Sequence, residues 1–360
     1  MSGKLVLENG LVLEGEDFGN WPLTVGKVVF FTGVVGYQEL LTDPDYHGLI
    51  VIATYPEIGN YGVNEEDNES SAVHPAGFVI KKKSLSHSNF RAMGSVDDFV
   101  LKHNLPLLHE VETRQAVIAL RDEGEMIGAL LPDGASPEEG LRSIAEYKIR
   151  KKMDIVIEIA VKETIVHDSH NGKGPRIALL DLGVKNSLIA QLARYGCSIM
   201  QFPPETSPDT LLNEKPDGII ISNGPDDANG LDPVIEHVKA LIGAKPILGV
   251  SLGCQALGKA LGGELATLKC GHHGVNQPVK NPKTGKVEIT SQAHSFCLTT
   301  ESLEAAGVEV TWENLNDHSV EAFSHTESKA TGYQICLAPP TCLDINPFLK
   351  EFLDGLEKKN

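Results

Sequence analysis

The chain has 360 residues, of which 41% are hydrophobic and 22% charged, and its formal net charge at pH 7 is −18. This composition is globular, and the length is sufficient for two domains. The acidic balance argues against nucleic-acid binding, which needs clustered Lys and Arg. No apolar run approaches the roughly 18 residues needed to cross a bilayer, and no signal-peptide core follows Met1. We therefore expect a cytoplasmic protein that binds neither nucleic acid nor membrane.

The six cysteines form no C-x-x-C pair. Neither a zinc site nor a disulfide framework is therefore predicted. We expect free thiols, most of them buried.

The amino-terminal part of the chain mixes strand and helix patterns. Asn9-Gly10 stands between two apolar runs and predicts a β-hairpin. Residues 26–44 predict a strand, a glycine-rich turn and a short helix that stops at a proline. Ser136-Pro-Glu-Glu139 is a capping box, and the helix that it opens is expected to end near Lys152.

A polar stretch then ends in Asn171-Gly-Lys-Gly-Pro175, which is typical of a domain boundary. The sequence therefore predicts a first domain over 1–152, a linker over 153–174 and a second domain over 175–360.

The second domain alternates between strand and helix patterns, which predicts an α/β fold with a parallel, doubly wound sheet. In such a sheet the ligand site lies at the carboxyl ends of the strands. Two segments fall there, Ser222–Pro225 and Ser251, so we expect them to be close in space. The predicted strands are 176–181, 197–202, 218–221 and 246–248, and the predicted helices are 186–195, 208–213 and 234–242.

The stretch Lys245–Gly263 predicts a strand, a sharp turn and a helix, with G-V-S-L-G at the turn. This pattern is that of a nucleophile elbow, in which glycines permit a tight turn and the central side chain, Ser251, is presented at the end of the strand. The alternative is an ordinary strand-to-helix turn whose glycines serve packing.

Together these motifs identify a family. The chain resembles, over nearly its whole length, the small (glutaminase) subunit of carbamoyl-phosphate synthetase, a class I glutamine amidotransferase. The resemblance implies an N-terminal mixed β/α domain followed by a doubly wound amidotransferase-like domain. The matching segments are Gly36–Glu39, Thr42–Pro44, Gly59–Gly62, Gly224-Pro225, the elbow, Asn276–Val279 and Val287–Gln292.

The resemblance also implies a reaction and a partner. In the family, a cysteine thiolate in the elbow attacks the side-chain amide of glutamine, and a His-x-Glu pair activates the thiol and protonates the leaving ammonia. The ammonia passes to a large subunit that makes carbamoyl phosphate from bicarbonate and ATP, for pyrimidine or arginine synthesis. A heterodimer is therefore expected, with ATP and Mg on the large subunit, no cofactor in this chain, and at most weak binding of glutamine.

This sequence departs from the family at the nucleophile and in the glutamine pocket. Ser251 stands in place of the cysteine, and a serine hydroxyl is a far weaker nucleophile unless a base lies beside it. Cys254 replaces a histidine. Several of the glutamine-binding positions that the resemblance implies are also substituted; these positions are Asp45, Gly224, Asp226, Leu252, Gln255, Ala293, Ser295 and Phe296.

The His-x-Glu pair is missing where the resemblance places it, after Tyr333-Gln334. Residues 335–343 read I-C-L-A-P-P-T-C-L and contain no base, through either divergence or a local sequence error. His325-Thr-Glu327 has the required spacing but comes one strand too early. These two residues are candidate substitutes, and the alternative is a solvated turn.

Three hypotheses follow from these residues. In the first, the chain is a small subunit whose glutaminase activity is lost or impaired and which assists a large subunit that uses free ammonia. In the second, it is a serine hydrolase that uses Ser251 with His325 or His318 and with Asp317 or Glu327. In the third, it is a working glutaminase with Ser251 as the nucleophile.

Overall fold

The computed structural model describes residues 2–148, 150–168, 174–226, 228–337 and 344–357. The chain divides into two compact units, the first formed by Met1–Ile149 with Lys269–Gly274 and the second by Arg150–Leu268 with Val275–Asn360. The segment predicted as a linker, 153–174, contributes most of one helix and one strand to the second unit.

The first unit combines strands with four helices among its described residues. Its strands are β1 (Ser2–Leu7), β2 (Val12–Phe18), β3 (Thr24–Phe31), β4 (Ile50–Ala53), β5 (Glu57–Ile58), β6 (Gly77–Val79), β7 (Lys82–Lys83), β8 (Leu107–His109) and β9 (Met126–Leu131); its helices are α1 (Tyr37–Thr42), α2 (Val96–His103), α3 (Thr113–Glu123) and α4 (Pro137–Glu146), with a 3₁₀ turn at Pro44–Tyr46.

Seven of these strands close into a barrel in the order β1-β2-β8-β6-β4-β3-β9. Strands β1 and β2 form the predicted hairpin, and Gly10 in its turn has φ +87°, a conformation that glycine adopts without a Cβ clash. Leu5, Ile50 and Leu108 are among the fully buried side chains of the barrel core. The predicted capping box at Ser136 is confirmed, because both of its reciprocal hydrogen bonds with Glu139 are present.

Two of the segments that resemble the family, Gly36–Glu39 and Gly59–Gly62, contact each other inside the first unit. The Tyr61 hydroxyl accepts hydrogen bonds from the N–H groups of Gly36 (2.7 Å) and Tyr37 (3.0 Å), and the two tyrosine rings stack at 4.3 Å between centroids. The neighbouring Glu39 is 92% buried, since only 8% of it is exposed. Burial, together with the charges of Asp67 and Glu69, raises the pKa of Glu39 to about 7.

The second unit contains the predicted alternation of strands and helices. Its strands are β10 (Ile165–His167), β11 (Arg176–Leu180), β12 (Ser198–Phe202), β13 (Gly218–Ile221), β14 (Ile247–Val250), β15 (Leu265–Lys280, of which Lys269–Gly274 belongs to the first unit), β16 (Val287–Leu298), β17 (Glu309–Asn314), β18 (Val320–His325) and β19 (Ala330–Tyr333); its helices are α5 (Lys152–Ile159), α6 (Asn186–Tyr195), α7 (Pro208–Asn213), α8 (Asp232–Leu241), α9 (Leu252–Ala260), α10 (Thr300–Ala305) and α11 (Pro347–Glu357).

The strands of the second unit form a ten-stranded sheet in the order β10-β12-β11-β13-β14-β19-β18-β17-β15-β16. The five strands from β12 to β19 in this order pair in parallel, which confirms the predicted parallel sheet. Successive residues of β11 enter two different cores: Ala178 and Leu180 face one, and Ile177 and Leu179 face the other. Burial on both faces explains why these strands read as uninterrupted apolar runs.

Two predicted element lengths are wrong. Helix α4 ends at Glu146 rather than near Lys152, because Tyr147 is extended and Lys152 begins a separate helix, α5. Val156 of α5 is fully buried in the core of the second unit. The sequence pattern also predicts a short strand from Val287 to Thr290, but strand β16 continues to Leu298.

Most of the described cysteines are buried, as predicted. Cys197, Cys254, Cys297 and Cys336 are buried and Cys270 is half-buried; Cys342 lies outside the described residues. Within the described ranges, no helix has the length and apolar character that a bilayer crossing requires.

We expect Glu39 to make the first unit less stable as the pH rises. Its folded-state pKa of about 7 lies above the ordinary value of 4.5. The folded chain therefore binds more protons than the unfolded chain between these values, and the stability present below the lower pKa is lost through the upper one. Glu39→Gln should remove most of this loss, of at most about 3 kcal/mol.

The measurement is chemical unfolding of the wild type and Glu39→Gln at several pH values from about 4 to about 8. Glu57→Gln, at an exposed glutamate of the same unit, is the matched control and should follow the wild type. Equal pH slopes for wild type and Glu39→Gln would contradict the expectation.

Candidate functional site

The predicted elbow is present at the junction of β14 and α9. Ser251 follows Val250 directly and adopts φ +50° and ψ −110°, outside the regions that non-glycine residues ordinarily occupy. Its N–H donates to the Tyr333 carbonyl oxygen at 2.8 Å, which ties the turn to the adjacent strand β19. Only 1% of Ser251 is exposed. The chain thus holds a serine in the strained conformation that an elbow requires.

Two glycines make the elbow sterically possible. A Cβ at Gly249 would lie 2.4 Å from the Gly253 carbonyl oxygen, and a Cβ at Gly253 would lie 2.2 Å from the Ile221 carbonyl oxygen. Both contacts are with backbone, which cannot rotate away as a side chain can. The Gly253 N–H also donates to the Ser222 carbonyl oxygen at 3.0 Å. The predicted proximity of Ser222–Pro225 to Ser251 is therefore confirmed.

A half-buried carboxylate lies beside the elbow. Asp226 Oδ1 accepts a hydrogen bond from Gln255 Nε2 at 2.7 Å, and Asp226 Oδ2 accepts one from the Ser295 N–H. Lys152 Nζ donates to the Asp226 carbonyl oxygen. Gln255 lies one helical turn after Ser251, since its N–H donates to the Ser251 carbonyl oxygen at 3.1 Å.

Other predicted glutamine-binding positions lie around the same carboxylate. Gln255 Nε2 also donates to the Phe296 carbonyl oxygen at 3.3 Å. Gly224 packs against Leu182 and Leu252, whose atoms would lie 2.1 Å and 3.0 Å from an added Cβ. Ala293 is buried in β16.

The second unit therefore brings these positions together through pairwise contacts: Gly224 with Leu252, Asp226 with Gln255 and Ser295, and Gln255 with Phe296. Asp45 lies in the first unit, buried in the 3₁₀ turn Pro44–Tyr46, where its N–H donates to Asp43 Oδ1 at 2.9 Å.

The structure places His325 and Glu327 away from Ser251, so their predicted role as substitute base and carboxylate is wrong. His325 pairs with Ala330 across the β18–β19 hairpin, and Ala330 pairs with Ile247, the first residue of β14. Ser251 comes four residues later, at the other end of that strand. At about 3.3 Å per residue, the separation along the strand is about 13 Å. His325 Nδ1 instead lies 2.7 Å from Ser328 Oγ in its own turn. This contact agrees with the alternative interpretation of the segment as a turn between strands.

The residues of the hydrolase alternative make local contacts. Asp317 and His318 are exposed in the turn between β17 and β18. Asp317 Oδ1 accepts hydrogen bonds from the N–H (3.1 Å) and the hydroxyl (2.8 Å) of Ser319. The His318 N–H donates to the Asn314 carbonyl oxygen at 3.0 Å. No described hydrogen bond joins either side chain to Ser251.

The segment after β19 brings no imidazole or carboxylate to the elbow. Residues 335–343 contain no His, Asp or Glu. Ile335 and Leu337 are buried, and the Cys336 N–H donates to the Ser291 carbonyl oxygen at 2.8 Å. Residues 338–343 lie outside the described residues.

A buried His–Glu pair lies near Cys254 of α9, and sequence analysis did not identify Glu321 as part of it. His294 Nε2 lies 3.5 Å from Glu321 Oε2, and both side chains are fully buried. The Nδ1–H of His294 donates to the Phe296 carbonyl oxygen at 3.0 Å. The two residues come from β16 and β18, and the pairing of distant strands leaves no local sequence signal.

The two cysteines near this pair are poor nucleophiles. Burial and the charge of Glu321 raise the pKa of the Cys254 thiol well above its ordinary value, and the same two causes raise the pKa of Cys297 to about 12. Both thiols are therefore protonated at neutral pH, and the thiolate is the reactive form. Neither cysteine therefore offers a reactive thiolate near the elbow at neutral pH.

The arrangement therefore keeps the backbone of an elbow. Among the described residues, no imidazole or carboxylate forms a hydrogen bond with the Ser251 hydroxyl. A serine without an adjacent base stays protonated and does not attack an amide.

Both parts of the chain match known protein families. A model of the carbamoyl-phosphate synthase small chain, CPSase domain, matches residues 5–130, and a model of class-I glutamine amidotransferases matches residues 178–335.

Whole proteins match along most of their length. The carbamoyl phosphate synthase small chain of Methanopyrus kandleri is 40% identical over 93% of this chain and 93% of that protein. The small chain of Aquifex aeolicus is 39% identical over 89% of each. That of Bacillus caldolyticus is 36% identical over 100% of this chain and 98% of that protein.

We expect Gly253→Ala to destabilise the second unit strongly, because the added Cβ would lie 2.2 Å from the Ile221 carbonyl oxygen. Overpacking against backbone typically costs about 1–3 kcal/mol and sometimes more. The measurement is the unfolding midpoint in denaturant. Gly355→Ala, in α11 with nothing within 4 Å of an added Cβ, is the control and should be neutral or slightly stabilising. A neutral Gly253→Ala would contradict the proposed packing of the elbow.

Proposed function

The chain belongs to the carbamoyl phosphate synthase small chain family, and we propose that it is a small subunit whose own glutamine hydrolysis is lost or severely impaired. Its second unit is a class I glutamine amidotransferase-like domain with a mixed α/β fold. In the proposed role it assists a large synthetase subunit that makes carbamoyl phosphate from bicarbonate, ATP and free ammonia. ATP and Mg would bind to that large subunit, and this chain would need no cofactor.

One observation carries the proposal: an elbow whose central residue is Ser251, with no base beside it among the described residues. The strand register separates His325 from Ser251 by about 13 Å along β14, and Glu327 lies in the turn that follows His325. Hydrolysis of an amide needs a base to activate the nucleophile and an acid to protonate the leaving ammonia. Because both groups are lost along with the thiol, the defect is in the whole catalytic unit and not in one residue.

The other two hypotheses lack such support. A serine hydrolase would need His325 or His318, with Asp317 or Glu327, beside Ser251. The described hydrogen bonds of Asp317 and His318 stay within their own turn, and His325 lies at the other end of β14. A working serine glutaminase would need the same missing base.

We predict negligible glutamine hydrolysis by the isolated chain and by its complex with a large subunit. Triad members act as a unit, so the loss of nucleophile and base together leaves little more than binding. The measurement is glutamine-dependent ammonia release. Turnover of about 1 per second, at the low end of typical enzymes, would overturn the proposal.

The Ser251→Cys variant, measured in the same assay, tests whether the elbow lacks a base. The substitution returns the thiol but no base, so the leaving ammonia still lacks its proton donor, and we expect no restored turnover. Ser251→Ala gives the background rate. Robust hydrolysis by Ser251→Cys alone would require a base at the elbow and would contradict the proposal.

We also predict that the chain co-purifies with a cognate large subunit. The first unit exposes three large apolar side chains within one loop, Leu85 (97%), Phe90 (97%) and Met93 (72%), and exposed apolar groups of this size are common in interaction surfaces. An interface of about 1,200 to 2,000 Å² would give a stable complex.

Co-expression followed by gel filtration measures this association. Phe90→Ser should weaken the complex, whereas Ile118→Ser, at a partly exposed side chain of α3, should not. Elution of the wild-type chain only as a free species would count against association.

A further inference from the structure

The Asp226 carboxylate is bound at both oxygens by donors from two different elements. Gln255 of α9 donates to Oδ1 at 2.7 Å, and the backbone N–H of Ser295 in β16 donates to Oδ2. Two N–H groups directed at the two oxygens of one carboxylate form a bidentate arrangement, which adds geometric specificity to the binding energy.

The orientation of the Gln255 amide is set by its other contacts. Its Oε1 accepts the Ala228 N–H at 3.0 Å, so Nε2 must face Asp226 and the Phe296 carbonyl oxygen. Gln255 and Ser295 are both at least 98% buried, since at most 2% of either is exposed. The two donors are therefore fixed in place and aimed at a carboxylate by the fold itself.

This carboxylate subsite lies close to the elbow. Gln255 is one helical turn from Ser251, and Gly224, two residues before Asp226, packs against Leu252 at the start of α9. One helical turn rises about 5.4 Å, which is within the length of an extended amino-acid side chain.

We infer that Asp226 acts as a tethered internal ligand, whose carboxylate occupies the subsite that would otherwise bind the carboxylate of an amino acid. The inference rests on the proposed function only in naming glutamine as that amino acid. A group held by the chain competes at an effective concentration in the millimolar range or above. A free carboxylate must therefore displace it and must also approach a group of like charge. The pocket is closed to glutamine by this one side chain, independently of the missing base.

The experiment is titration calorimetry of L-glutamine into the full-length chain. We expect no detectable binding by the wild type at millimolar glutamine, and a gain in affinity of about tenfold or more for Asp226→Ala and Asp226→Gly. L-glutaminol, which lacks the carboxylate, should not bind to either variant. Wild-type binding with a submillimolar Kd would overturn the inference without recourse to any variant.

Two further variants separate occupancy from charge. Asp226→Asn keeps the size and one acceptor of the side chain but removes its charge, so it should gain less glutamine affinity than Asp226→Ala. An equal gain for Asp226→Asn would assign the block to charge alone and overturn the inference. Gln255→Met combined with Asp226→Ala should abolish the gain, because it removes one of the two donors.

These outcomes are distinguishable from failure of the proposed function. If Asp226→Ala folds, as its thermal unfolding would show, and still gains no glutamine affinity, the inference fails while the proposed loss of hydrolysis stands. If Asp226→Ala gains affinity and also releases ammonia, the proposed function fails while the inference stands.

Discussion

The close approach of backbone to backbone at Gly249 and Gly253 is the constraint on which the candidate site depends. Helix α9 can begin directly after β14 because the two glycines lack a Cβ. A Cβ at Gly249 would clash with the Gly253 carbonyl oxygen, and a Cβ at Gly253 would clash with the Ile221 carbonyl oxygen. This packing fixes Ser251 in its strained conformation and places Gln255 one turn further along. The elbow is therefore maintained by sterics at its flanking glycines, and its geometry does not depend on the side chain at position 251. A fold of this kind can lose its nucleophile and keep the shape of its site.

Strand register determines which residues can reach Ser251. His325-Thr-Glu327 has the sequence spacing of a catalytic pair, but spacing does not say at which end of the sheet a turn lies. The parallel pairing of β14 with β19 and the antiparallel pairing of β19 with β18 place the β18–β19 turn at the amino-terminal end of β14. In a parallel sheet the carboxyl ends of the strands carry the ligand site. His325 lies at the opposite end of the strands, and its side chain hydrogen-bonds to Ser328 in its own turn.

Local chemistry explains which features the sequence could predict. The central strands are buried on both faces, so they read as apolar runs, and the hairpin and capped helices follow from Asn9-Gly10 and Ser136–Glu139. Strands β15 and β16 have mixed burial and weak periodicity, and their full lengths were not predictable. The site contacts were harder still, because 29 residues separate Gln255 from Asp226 and 69 separate Ser295 from Asp226. The sequence could show that position 226 carries a carboxylate, but it could not show which N–H groups donate hydrogen bonds to that carboxylate.

The same hydrogen bonds that close the pocket also contribute to the stability of the second unit. A buried donor without an acceptor costs about 1–3 kcal/mol, and both the Gln255 amide and the Ser295 N–H point into the site. In a chain that binds a ligand there, the ligand supplies the acceptor only while it is bound. Here Asp226 supplies it permanently, and its own loop is held in turn by Lys152 through the carbonyl oxygen. Stability and ligand binding therefore compete for one pair of donors, and a substitution that frees the donors for glutamine removes the acceptor that Asp226 supplies in the unliganded protein.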